Sequence, residues 1–254
     1  MNKYTIIEQI GQGSFGSIYR GKNNRTGEFV AIKAESIKNG QNLLVNESRV
    51  YQYLKNCKGV PTIKWFGKDD VNYYMVINLL GKSLYEMKIA SLISSSDISK
   101  LVIQAICIIE SIHDKGLVHR DIKPDNFLYS NNQLYLIDFG FCKPYIKNGL
   151  HNEVTRTSGL IGSLNYASIN SHRRISLSRR DDMESLGYVI VFLTTCLEWC
   201  DLTSENEIEQ KKLLFLKTSY SDNLKPYFSN LSGIAYDERP CYEGLRNSIS
   251  LFFL

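Results

Sequence analysis

His119-Arg120-Asp121-Ile122-Lys123-Pro124-Asp125-Asn126 packs two carboxylates, two cations and an amide into eight residues, and Asp138-Phe139-Gly140 follows twelve residues after Asn126. The first run comes just after an amphipathic stretch. Ile98, Leu101, Val102, Ala105, Ile108, Ile109 and Ile112 recur at the i, i+3, i+4, i+7 spacing of a helix, and Gly116 suits its C-terminal cap. The second follows an apolar strand at 133–137. Asp138-Phe139-Gly140 by itself reads as a turn. The ordered set reads as chemistry. Asp121 can accept the proton of an attacking hydroxyl, and Lys123 can offset charge on a transferred phosphoryl group. Asn126 and Asp138 offer the oxygen ligands that a hard cation such as Mg²⁺ prefers.

Toward the N-terminus the pattern turns to strands, expected at 4–10, 16–22, 29–34, 63–67 and 72–79. Gly11-Gln12-Gly13-Ser14-Phe15-Gly16 lies between the first two. Its glycines let backbone approach phosphates closely. Because Ser17-Ile18-Tyr19-Arg20 continues as strand, the motif fits a loop over a nucleotide between antiparallel strands, with a ligand-free glycine hairpin as the alternative. Val30-Ala31-Ile32-Lys33 ends an apolar strand on a lysine. A helix is expected over 41–55, with Leu43, Leu44, Val50, Tyr51 and Leu54 on one face and Glu47 among them. A carboxylate on an apolar face needs a cation, and Lys33 is the candidate; the alternative is that Glu47 reaches the helix edge. Such a pair would hold the α- and β-phosphates of ATP.

Hydrophobic residues make up 43% and charged residues 22%, which excludes disordered, collagenous and coiled-coil classes. Thirty basic against 26 acidic residues leave a charge of +4, too weak to argue for nucleic acid. The strongest apolar run, 188–197, suits a buried helix and is too short to span a membrane. Met1-Asn2-Lys3-Tyr4-Thr5 opens no apolar signal region. The six cysteines read as reduced thiols of a cytoplasmic or nuclear protein. Cys196 and Cys200, one helical turn apart, are expected in the core, with a metal pair as the alternative.

Together these motifs resemble the eukaryotic protein kinases. Lys123, two residues after Asp121, is similar to the serine/threonine type. Asn165-Tyr166-Ala167-Ser168-Ile169-Asn170, the run Ser178-Arg179-Arg180-Asp181-Asp182-Met183-Glu184-Ser185-Leu186-Gly187-Tyr188, and Asp125-Asn126-Phe127-Leu128 resemble the casein kinase I family, with similarity from about Tyr4 to Tyr242. The resemblance implies an α+β, bilobal kinase-like fold: one domain over 1–254, with a small antiparallel-sheet N-lobe (1–78) carrying one key helix, a hinge (79–82) and a larger, mainly helical C-lobe (83–254). It implies ATP and Mg²⁺ as cofactors and Ser/Thr-bearing protein substrates as partners, with neither nucleic acid nor membrane. The competing class is a pseudokinase scaffold on the same fold; a small-molecule kinase is a third reading, against which stands the segment 162–169, which resembles a peptide-accepting loop.

Site residues follow from the resemblance. Asp121, Lys123, Asn126, Lys33, Glu47 and Ser163 would be catalytic, with Asn126 and Asp138 holding metal. Leu79 and Leu80 would meet adenine, Ile77 would guard the back of the pocket, and Ile10, Ile18, Ala31, Leu128 and Ile137 would enclose the base. Gly11, Gly13, Ser14 and Gly16 would cover the phosphates, and Asp182 would anchor the loop carrying His119 to Asp121. Departures are also present. The family's Arg is Asn165 here, and the stretch after Trp199 is acidic at Glu205, Glu207 and Glu209. Arg173-Arg174 is atypical and reads as a solvated face or a substitute anion site, whereas Arg179-Arg180 suggests a structural role. Thr155, Thr157 and Ser158 fall on the expected activation segment.

Overall fold

The computed structural model describes residues 2–13, 16–40, 42–218 and 224–252. Five antiparallel strands, β1 (Tyr4–Gly13), β2 (Gly16–Asn23), β3 (Phe29–Ser36), β4 (Ile63–Lys68) and β5 (Asn72–Asn78), form one sheet in the order β1-β2-β3-β5-β4. The expected strands are all present and start where expected; the first four run one to three residues further, and the fifth stops one residue sooner, at Asn78. Alternation splits the sheet between two cores. Val30, Ile32, Ala34, Tyr74 and Val76 bury with Tyr4 in a small cluster of their own. Residues of opposite parity on β3, including Lys33 and Glu35, face helix α1 (Leu43–Tyr53).

Helix α1 lacks a side-chain cap from Asn42, which sits at φ 51°. Glu35 does the work instead: its carboxylate accepts the N–H groups of Leu43 (3.2 Å) and Leu44 (2.6 Å). This satisfies donors that a helix start leaves open and brings negative charge to the positive end of the dipole. One strand thus both supplies Lys33 and sets the helix that carries Glu47.

The rest is largely helical. Helix α2 (Leu84–Ile89) starts in a capping box, with Ser83 Oγ accepting the Glu86 N–H (3.1 Å) and Glu86 accepting the Ser83 N–H (2.7 Å). Helix α3 (Ser95–Asp114) buries every periodic residue named from the sequence, and Gly116 follows it at φ 77°. Short strands pair as β6 (Leu117–Val118) with β9 (Lys143–Pro144), β7 (Phe127–Ser130) with β8 (Gln133–Leu136), and β10 (Ile146–Lys147) with β11 (Leu150–His151). Helices α4 (Ile169–His172), α5 (Arg179–Thr194), α6 (Glu205–Thr218), α7 (Lys225–Ser229) and α8 (Tyr242–Phe252) complete the chain. Helix α3 packs against both α5 and α8. The main core runs from Leu44, Tyr51 and Met75 through α3 and α5 to Ile249, so it spans the sheet-bearing and helical parts.

Two expectations are corrected here. The buried helix foreseen at 188–197 begins earlier, at Arg179, where the Asp181 carboxylate accepts the Ser178 N–H (2.8 Å), and it stops at Thr194. Cys196 and Cys200 lie beyond that end and are exposed rather than in the core, and among the described residues no group of three His, Cys, Asp or Glu side chains could hold a metal.

Ile109 is 1% exposed at the centre of this packing. Ile109→Ala is expected to cost about 2–5 kcal/mol, measured as a lower urea midpoint with an unchanged m-value.

Candidate active site

A cleft of about 900 Å³ opens between the sheet and the helical part. Its upper wall comes from Ile10, Gly11, Ile18, Ala31 and Lys33, its back from Glu47, Tyr51, Met75 and Ile77, and its edge from Leu79 and Leu80. Leu128 and Ile137 close it below, and Lys123, Asn126, Asp138 and Ser163 line its inner end. Gly13 pairs with Gly16 where β1 meets β2, so the described glycines of the motif belong to the two antiparallel strands. At Gly16 a Cβ would lie 1.9 Å from the Ala34 carbonyl oxygen, so only glycine lets the strands approach this closely. Ser14 lies outside the described residues.

Lys33 Nζ lies 2.8 Å from Glu47 Oε2 and 2.8 Å from Asp138 Oδ1. Burial alone would depress the lysine, but the two carboxylates outweigh it and hold the ammonium form well above the ordinary range. Burial would raise Asp138, and Lys33 reverses this and holds it below the usual carboxylate range. Tyr51, one turn beyond Glu47, accepts the Asp138 N–H (3.2 Å), and its ring meets Phe139 edge-on at 4.8 Å. Sequence reasoning assigned Tyr51 to the core only. Its i+4 spacing from Glu47 was the available signal.

Asp121 is 3% exposed and does not itself line the cleft. One carboxylate oxygen accepts both the N–H and the hydroxyl of Ser163 (2.8 Å each), and the other is 3.0 Å from Lys123 Nζ. Lys123 also donates to Ser163 Oγ (3.1 Å). Gly162 adopts φ 90°, and a Cβ there would come within 2.7 Å of the Arg120 carbonyl, so glycine lets Ser163 reach Asp121. Asn126 Nδ2 donates to the Asp121 carbonyl (2.8 Å), which leaves its amide oxygen as the free ligand-bearing end. With ionised Asp138 it forms an all-oxygen pair on the cleft wall, a donor set that fits Mg²⁺.

The loop is held from α5. Asp182 accepts the N–H groups of His119 (2.7 Å) and Arg120 (2.8 Å) and pairs with His113 Nε2 (2.9 Å). Burial pushes its carboxyl up, but these donors overcome it and keep it low. A family model described as the protein kinase domain matches residues 4–237. The chain belongs to the protein kinase family. The five-stranded sheet, the helical part and the cleft between them are the kinase's bilobal fold, the fold on which this family carries out phosphoryl transfer from ATP.

The cleft of this kinase also takes in residues the sequence reading left out: Tyr85, Glu86, Asp125, Tyr166, Leu202 and Thr203. They come from loops and helix ends, whose convergence has no periodic signal. Arg173 and Arg174 face neither solvent alone nor the cleft. Arg174 pairs with Glu205 (2.6 Å) and Arg173 with Glu209 (3.3 Å), tying α4 to α6. Arg179 stacks on the Tyr145 ring at 4.6 Å and donates to the Asp237 carbonyl, and Arg180 donates to the Ile234 carbonyl (2.5 Å), the structural role expected of that pair.

Because Lys33 and Glu47 form one unit with Asp138, their loss should not be additive. A double-mutant cycle on nucleotide affinity with Lys33→Met and Glu47→Gln is expected to show coupling of about 0.5–3 kcal/mol; zero coupling would refute a working pair.

Proposed function

We propose that this kinase is catalytically active and of casein kinase I type, moving the γ-phosphoryl group of ATP to Ser or Thr hydroxyls of protein substrates. The observation that carries the reading is Lys33 bridging Glu47 and Asp138 at 2.8 Å while Asp121 is bonded to Lys123 and Ser163, which line the same cleft. A scaffold that only binds has no use for both halves. The serine/threonine assignment rests on Lys123 and the peptide-facing segment on the stretch 162–169.

Lys33 holds the α- and β-phosphates, oriented by Glu47. Mg²⁺, when bound through Asn126 and Asp138, neutralises charge on the phosphate oxygens. Asp121 accepts the hydroxyl proton as the substrate oxygen bonds to phosphorus and the bond to the ADP oxygen breaks. Lys123 offsets charge on the moving group, and Ser163 fixes Asp121 and Lys123 in register.

Asp121→Asn is expected to leave nucleotide binding intact and to lower kcat by about 10²–10⁴, measured by phosphopeptide formation beside a nucleotide-binding titration. Retention of more than about a tenth of kcat would refute the role.

Substrate preference departs from the family. Asn165 is neutral, and Arg173 and Arg174 are already engaged by Glu209 and Glu205, so none of these three positions offers a free arginine fork to a phosphate already on the substrate. Peptides with phosphoserine three residues before the target should gain little over Ala. Asn165→Arg should raise kcat/KM for the phosphoserine peptide about tenfold. An unchanged, large phosphoserine advantage in both proteins would overturn this.

A further inference from the structure

Lys212 is fully buried on α6, with no part in the reaction described above. Its nitrogen meets two main-chain carbonyls, Leu164 (2.9 Å) and Ala167 (2.7 Å), and His172 Nε2 (3.1 Å). The rings of Tyr188 (4.8 Å) and Trp199 (5.7 Å) cover it. Trp199 Nε1 donates to the carbonyl between these two, that of Asn165 (2.9 Å). Three carbonyls of the segment 164–167 are therefore gripped from beneath. The upper side of that segment, Leu164, Asn165 and Tyr166, lines the cleft beside Ser163, which is bonded to Asp121.

An apolar side chain at 212 would leave two inward carbonyls without donors, which is costly in a dry interior. Burial lowers Lys212 to about 7 against the pull of Glu184, and burial with the neighbouring Lys212 lowers His172 to about 4. The cluster keeps three bonds in either state of the lysine. As ammonium it donates to both carbonyls and to Nε2, with the imidazole proton on Nδ1, which faces Glu205 at 4.0 Å. As amine it donates to both carbonyls and accepts from Nε2–H.

We infer that Lys212 is a positioning residue for the protein substrate: by fixing the carbonyls of Leu164 and Ala167 it shapes the cleft wall on which the residues around the acceptor hydroxyl rest. This rests on the protein-kinase reading above. It assigns Lys212 to peptide binding and not to nucleotide binding or to the chemical step.

The test is Lys212→Met, an unbranched side chain of similar length without donors, assayed with a Ser/Thr peptide and ATP varied separately. Peptide KM is expected to rise about tenfold, with ATP KM and saturating kcat within about threefold. Hydrogen exchange should quicken at the Tyr166 and Ala167 amides, which bond to the Ser163 carbonyl. Unchanged peptide KM and unchanged exchange would overturn the inference. So would equal rises in both KM values, the mark of a general packing role. If Lys212→Met does not fold, Trp199→Phe, which frees the Asn165 carbonyl alone, carries the same comparison. A wild-type protein that phosphorylates no Ser/Thr peptide would refute the proposed function instead, and the exchange measurement would then decide the role of Lys212.

Discussion

Buried carboxylates at the start of α5 are the constraint around which the helical part is arranged. Asp181 and Asp182 are each 1% exposed, and a charge taken that far from water survives only when donors surround it. Asp182 draws in the His119 and Arg120 amides and the His113 ring. Asp181 draws in the Ser178 amide, the Ser168 hydroxyl and the Asn170 side chain. The Ile169 amide goes to Glu184, one turn on. Two loops distant in sequence, the one with Asp121 and the one with Ser163, are thereby tied to a single helix end. Within that frame Gly162, at φ 90°, lets Ser163 reach Asp121, and Lys123 bridges the two.

The sheet-bearing part is tied in by a different route. Glu35 caps α1, α1 carries Glu47 and Tyr51, and Lys33 binds Glu47 on one side and Asp138 on the other. Asp138 sits at φ 65° and Arg120 at φ 70°, conformations that L-residues adopt only when their surroundings insist. Tyr51, Phe139 and His119 form a continuous run of edge-to-face rings behind them, with centroids 4.8 and 5.1 Å apart. The cleft is thus bounded by interlocked polar contacts on its inner wall and by these packed rings behind it.

Charge elsewhere is spent internally. Arg173 and Arg174 at the end of α4 pair with Glu209 and Glu205 of α6, so these four charges largely offset one another. Surface pairs of this kind contribute little to stability, and their effect here is to join α4 to α6, which carries Lys212.

Much of the fold and most of the cleft were legible in the order of the residues. Strand and helix periods follow from which side chains must leave water, and that pattern is local. The glycines, Lys33, Asp121, Asn126 and Asp138 are recognisable because each is of a type that few others could replace in such a motif. What the sequence could not express is pairing at a distance. Glu35 as a helix cap, Tyr51 behind Asp138, Arg173 and Arg174 on the acidic residues of α6, the exposed cysteines past the end of α5 and Lys212 under the segment 164–167 all depend on which surfaces meet. That is decided by tertiary packing, since a buried charge or donor takes whichever partner the fold brings within about 3 Å, and no periodicity records that choice.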